Sequence, residues 1–167
     1  MKNSLKLLLL SIPLSVLLAV VFISMEREHR LSFVPEKLSV SNIVYTKEEV
    51  FGFGPGGNET GVLVYELPDK IASDIEKIGI EYFVNLTPRQ GNNSDLYRKW
   101  QKTPITDVNK IEEHLDRYGF GISIDRHIEN EIDEAISKPG SFFANGRGGR
   151  ILIVNPKNRR VFLAYSG

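Results

Sequence analysis

The chain has no cysteine, and only one tryptophan, two methionines and three histidines among its 167 residues. Without thiols there is no disulfide framework, no thiolate metal site, no cysteine nucleophile and no lipidated cysteine. Charge of one sign is lacking too: 21 basic residues stand against 21 acidic ones, and 19 against 21 from Met25 onward. No general attraction to nucleic acid is therefore expected. Serine catalysis has no G-x-S-x-G turn to rest on. Of the histidines, His29, His114 and His127, only His127 has a carboxylate one helical turn on, at Glu131. A metal site needs more ligands than that pair supplies, so no catalytic, cofactor-binding or metal-binding residue is assigned.

The most conspicuous stretch present is Leu7 to Ile23, uncharged and interrupted only by Ser11, Pro13 and Ser15. A helix from Leu7 to Met25, rising about 1.5 Å per residue, only just reaches across a hydrocarbon core about 30 Å thick. The alternative, a core helix of a soluble domain, needs a covering element for an all-round apolar surface. Signal cleavage requires small residues one and three before the cut. Ser24, Ala19 and Ser15 fail, with Phe22, Leu17 and Pro13 two residues earlier. The sequence thus predicts a retained transmembrane signal anchor over 7–25, with secretion after cleavage as the alternative. Lys2 and Lys6 before the run put a short N-terminus, 1–6, in the cytoplasm. A linker over 26–39 and an extracytoplasmic domain over 40–167 would follow, on a single-pass inner membrane protein.

Within that domain, periodicity predicts strands at Val40 to Tyr45, Val62 to Leu67 and Ile80 to Leu86, and a helix from Pro68 or Asp69 to Ile78 closed by Gly79. A short helix is expected from Asp95 to Lys102, and a longer one from Asp107 to Tyr118. The strand Phe120 to Ile124 leads into a helix from Arg126 to Ser137, capped by Asp125 and stopped by Pro139 and Gly140. Three strands finish the pattern, at Ser141 to Ala144, Arg150 to Val154 and Arg160 to Tyr165, the last two joined as a hairpin by Asn155 to Arg159. The fold class is α+β: a mixed or antiparallel sheet covered mainly on one side by about three helices, preceded by one N-terminal transmembrane helix.

Gly52, Gly54 and Gly57 match G-x-G-x-x-G, but the strand pattern Val62 to Leu67 follows where a dinucleotide site requires a helix N-terminus. A glycine-rich surface loop over Gly52 to Gly61 is the simpler reading. Charge layout says more. Between Asp107 and Glu134 nine acids face three bases, whereas from Ser137 onward six bases face no acid. Either the two regions neutralise each other, or a one-signed face holds an oppositely charged partner.

The candidate partner-binding residues are Trp100, a large aromatic among Tyr97, Arg98 and Lys99, and the arginines Arg147, Arg150, Arg159 and Arg160. The function expected is a membrane-tethered, noncatalytic binding protein, of the form a small inhibitor or toxin-neutralising protein takes. Its partner would be another envelope protein or an anionic surface, with no nucleic acid and no cofactor. Two alternatives stand beside it: an envelope hydrolase built from helix carboxylates with His114 or His127, and a structural subunit of a membrane complex.

Overall fold

The computed structural model describes residues 2–51, 58–89, 97–106, 108, 110–119 and 121–166, the side chains of 2–14 and 58 excepted. Six strands form one antiparallel sheet: β1 (Ile43–Phe51), β2 (Asn58–Glu66), β3 (Tyr97–Lys102), β4 (Phe142–Gly146), β5 (Ile151–Asn155) and β6 (Arg160–Ser166). Their order is β1-β2-β6-β5-β4-β3. The helices are α1 (Lys2–Leu31), α2 (Asp69–Ile78), α3 (Ile111–Leu115) and α4 (Arg126–Ser137), with 3-10 turns at Glu36–Leu38 and Gly79–Phe83.

Alternation along the strands makes two cores. Leu63, Tyr65, Leu152, Val154, Val161, Leu163 and Tyr165 face one side, with Leu31, Val34, Leu38, Ala72 and Ile75 over them. Val62, Val64, Ile151, Ile153, Phe162 and Ala164 face the other, beneath Ile111, Leu115, Ile128, Ile132 and Ile136. Helical cover lies on both faces, not mainly on one as expected. The reason is in the strands themselves: ILIV of β5 and VFLAY of β6 are apolar at every position because neither face meets water.

Two helices form where their stripes and boundaries predict. In α2, Ala72 and Ile75 point inward, and the Gly79 N–H closes the helix on the Ile75 carbonyl. In α4, preceded by Asp125, Ile128, Ile132, Ala135 and Ile136 make the buried stripe. The β5–β6 turn also forms as expected, with the Asn158 N–H donating to Asn155 Oδ1 at 3.0 Å.

The expected membrane anchor is overturned: among the described residues no helix is long and apolar enough to cross a membrane. With it go the signal anchor, the single-pass topology and the inner-membrane placement of the domain. In α1 the apolar run ends at Met25. Glu26, Arg27, Glu28 and Arg30 occupy the next turns, and Leu31 is buried in the core of the sheet domain. The helix therefore ends as part of the fold. Its continuation, through Val34, Leu38 and Val40, is buried as well, in the same core as α2.

Other elements differ locally. Ile80 to Leu86 is a 3-10 turn and coil, not a strand: Tyr82 and Phe83, neighbours in sequence, are both buried, which a strand's alternation forbids for a one-faced element. Tyr97–Lys102 is edge strand β3 where a helix was expected. The helix expected from Asp107 to Tyr118 is reduced to Ile111–Leu115, and Gly121 to Asp125 joins no sheet. The first strand is shifted, starting at Ile43 and running to Phe51.

Candidate binding cleft

A cross-strand row organises one end of the sheet. Glu48 of β1 lies opposite Gly61 of β2, and Gly61 opposite Tyr165 of β6. A Cβ on Gly61 would come within 2.6 Å of the Tyr165 ring. The missing side chain lets the phenol pass over β2 and donate its hydrogen bond to Glu48 Oε1. Arg150, just before Ile151, stands beyond Tyr165, since Ile151 pairs with Ala164.

The end of α1 closes this row from above. Arg30 Nη2 lies 2.8 Å from both Glu26 Oε1 and Glu48 Oε2. Two tyrosine hydroxyls hold the helix end down: Tyr65 donates to the Arg30 carbonyl and Tyr97 to the Phe33 carbonyl, each at 2.8 Å. Burial raises both phenols far above their usual range, and burial followed by the Glu48 contact does the same to Tyr165. All three are thus fixed as donors at any physiological pH.

Between α1 and the strand ends lies a cleft of about 240 Å³, lined by Glu26, His29, Arg30, Phe33, Glu48, Glu59, Arg150 and Tyr165 with the Glu49 and Val50 stretch of β1. Its apolar wall is Phe33, packed edge-on to His29 at 4.8 Å. The Arg150 guanidinium lies over the same ring, 4.8 Å from its centre. Most charges here are already matched. Arg30 holds Glu26 and Glu48, and Lys47 holds Glu49 at 2.9 Å. Arg150 and Glu59 have no ion-pair partner among the described residues, and the Arg150 Nε is buried without a hydrogen bond.

The turn carrying Arg147 and Arg150 is held rigidly at its base. Gly149 has φ +66°, and a Cβ there would lie 2.1 Å from the Ser166 carbonyl oxygen, so the turn sits directly on the end of β6. The Gly149 carbonyl also accepts a hydrogen bond from His114 Nε2 at 2.9 Å. That contact fixes the tautomer: Nε2 carries the proton, and the buried Nδ1 is left bare, without a partner among the described residues.

The five candidate residues do not converge on one surface. Arg147 is exposed on the turn and Arg150 lies in the cleft. Arg159 and Arg160 stand at the far end of the β5–β6 hairpin, about 17 Å away along β5. There Arg159 Nη1 meets Asp69 Oδ1 at 2.6 Å, a contact that raises its pKa, and Arg160 Nε approaches Glu131 Oε2 at 4.0 Å. Trp100 stacks on Phe83, 4.2 Å between centroids at 21°, with Phe142 behind. Its ring finishes the edge of one core.

Neither histidine named for hydrolysis lines either of two clefts. One cleft is described above; the other, about 280 Å³, is lined by Ile111, Leu115, Ile122, Glu112, Asp116 and Glu129 with the Gly121 to Ile124 segment. His114 is spent on a backbone carbonyl, and His127 is exposed on α4. Among the described residues no group of three His, Cys, Asp or Glu side chains could hold a metal ion. Gly52, Gly54 and Gly57 lie outside the described residues, between strands that pair Phe51 with Asn58. Residues that sequence reading missed are Arg30, Phe33, Glu48 and Glu59. The signal for Arg30 and Glu48 was the clustering of opposite charges in Glu26 to Arg30 and Lys47 to Glu49; Phe33 and Glu59 had none. The fold is an α+β domain, one antiparallel sheet between two helical layers. Comparison with protein-family models, with curated proteins and with solved structures found no match.

Proposed function

We propose that this chain is a noncatalytic binding protein whose cleft at the end of α1 takes an extended segment of a partner protein. The observation that carries the reading is Arg150, a guanidinium laid over an aromatic ring, with a buried Nε that no described residue satisfies. A buried donor left unmatched costs about 1–3 kcal/mol, and a ligand carboxylate bonding to the guanidinium recovers part of it. Arginine is suited to that role through its paired, coplanar donors.

Glu59, also without an ion pair among the described residues, sets the second requirement. A purely acidic ligand meets repulsion from Glu59, whereas a segment with a carboxylate beside a basic group matches both walls. Selection from a library of extended peptides tests the reading. Binders to the wild type are expected to carry an acidic residue beside a basic one, and Arg150→Glu should lose them while its thermal unfolding is unchanged. Binders without a carboxylate, or binding untouched by Arg150→Glu, would remove the cleft from the proposal.

A further inference from the structure

The sheet has two edges, and they differ in regularity. On β3 the register slips between Arg98 and Gln101, and Lys99 takes φ 55°, so the outer backbone groups do not form an even row. On β1 the pairing with β2 runs without a break from Tyr45 to Phe51, and no strand among the described residues covers its other side. An even edge from Tyr45 to Val50, with no described strand over it, is a template for another strand.

The side chains on that edge pair off in size or by opposite charge about Glu48. Outward from the centre come Lys47 and Glu49, then Thr46 and Val50, then Tyr45 and Phe51. Tyr45, Lys47, Glu49 and Phe51 share one face by alternation, and Tyr45 and Phe51 pack on the core beneath α4. We infer that β1 pairs antiparallel with β1 of a second copy of this chain, about a two-fold axis through Glu48, making one continuous sheet across the dimer.

Charge decides the register. An axis perpendicular to the sheet maps each face onto itself, so it must pass through a residue and not between two. Centred on Glu48, it sets Lys47 opposite Glu49 of the second copy, twice, and Tyr45 opposite Phe51, twice. Centred on Lys47 it sets lysine against lysine; centred on Glu49, glutamate against glutamate. Like charges directly opposite are destabilising, and opposite charges and aromatic pairs are favourable. The central glutamates do face each other, but each is already matched within its own chain by Arg30 at 2.8 Å and by the Tyr165 hydroxyl; Lys47 and Glu49, 2.9 Å apart in one chain, would form with their copies a square of alternating charges.

Sedimentation velocity on the full chain tests this, and the cross-strand pairing makes the test specific. The wild type is expected to sediment as a dimer. Lys47→Glu or Glu49→Lys alone places like charges opposite, and each should weaken self-association by about tenfold or more. Mixing the two single variants should restore a dimer, because the acidic edge of one then faces the basic edge of the other. The double exchange Lys47→Glu with Glu49→Lys should also self-associate. Unchanged thermal unfolding of the single variants separates loss of pairing from loss of fold. A monomeric wild type, single variants that associate as well as the wild type, or a mixture that stays monomeric would each overturn the inference.

Discussion

At the scale of single residues, the buried groups left without partners carry the most information. Arg150 Nε points to a ligand; His114 Nδ1 points to a pH dependence. Burial first, then the nearby Arg117, lowers the His114 pKa below its usual 6.5, and the hydrogen bond to Gly149 only partly opposes this. A base with a lowered folded pKa is neutral in the fold and takes up a proton on unfolding. Its stability contribution is therefore complete above pH 6.5 and is lost as pH falls through that value towards the folded one, at about 1.4 kcal/mol per unit of difference. The urea midpoint of the wild type should fall more between about pH 7 and pH 5 than that of His114→Gln, which keeps a donor for Gly149 and has no proton to gain. Equal falls in both would assign the acid sensitivity to other groups.

At the scale of elements, the shortest helix depends on its neighbour. α3 spans five residues, too few to hold itself in water. Its first residue, Ile111, donates its N–H at 2.8 Å to Asp133 Oδ1 of α4. Asp133→Ala should destabilise the domain by about 1–3 kcal/mol, read as a lower urea midpoint, with the largest rise in hydrogen exchange at residues 111–115. Protection there equal to the wild type would show that Ile111 and Leu115 packing alone holds the helix. The same dependence explains which elements could be read in the sequence. α2, α4 and the β5–β6 hairpin declare themselves locally, through Ala72 and Ile75, through Ile128 to Ile136, and through the Asn155 to Arg159 turn. The alternating pattern in Ile80 to Leu86 misleads because Tyr82 and Phe83 are both drawn under the sheet by contacts from elsewhere, notably Trp100. Edge strand β3, YRKWQK, has no apolar alternation to announce it. In the cleft, Arg150 stands out as a charge, but Arg30, Glu48 and Tyr165 meet only through the register of three strands and a helix end, which no local pattern contains.

At the scale of the whole molecule, the N-terminal helix and the turn after it divide into two parts by burial. Val16 to Met25 are exposed, while Leu31 and Val34 are fully within the core. Removing residues 1–24 should leave a domain with near-wild-type cooperative unfolding in a calorimetric scan. Removing 1–35 should abolish the transition. It strips two buried aliphatic side chains, about 1.5–3 kcal/mol each, and the carbonyl acceptors of the buried Tyr65 and Tyr97, about 1–3 kcal/mol each. That total is comparable with the 5–15 kcal/mol that holds a whole domain. A shortened chain that still melts cooperatively would show the helix end to be dispensable.

The strand at the middle of the sheet, β6, is the one that comes last along the chain, with β2 on one flank and β5 on the other. During synthesis, the hairpin of β1 with β2 and the ladder of β3 with β4 and β5 therefore wait as two unjoined halves, each with an apolar margin open. Neither can close until Arg160 to Ser166 is made and slots between them. Until then the nascent chain has no complete layer to bury either core against, and any protection from chaperones is needed most during that interval.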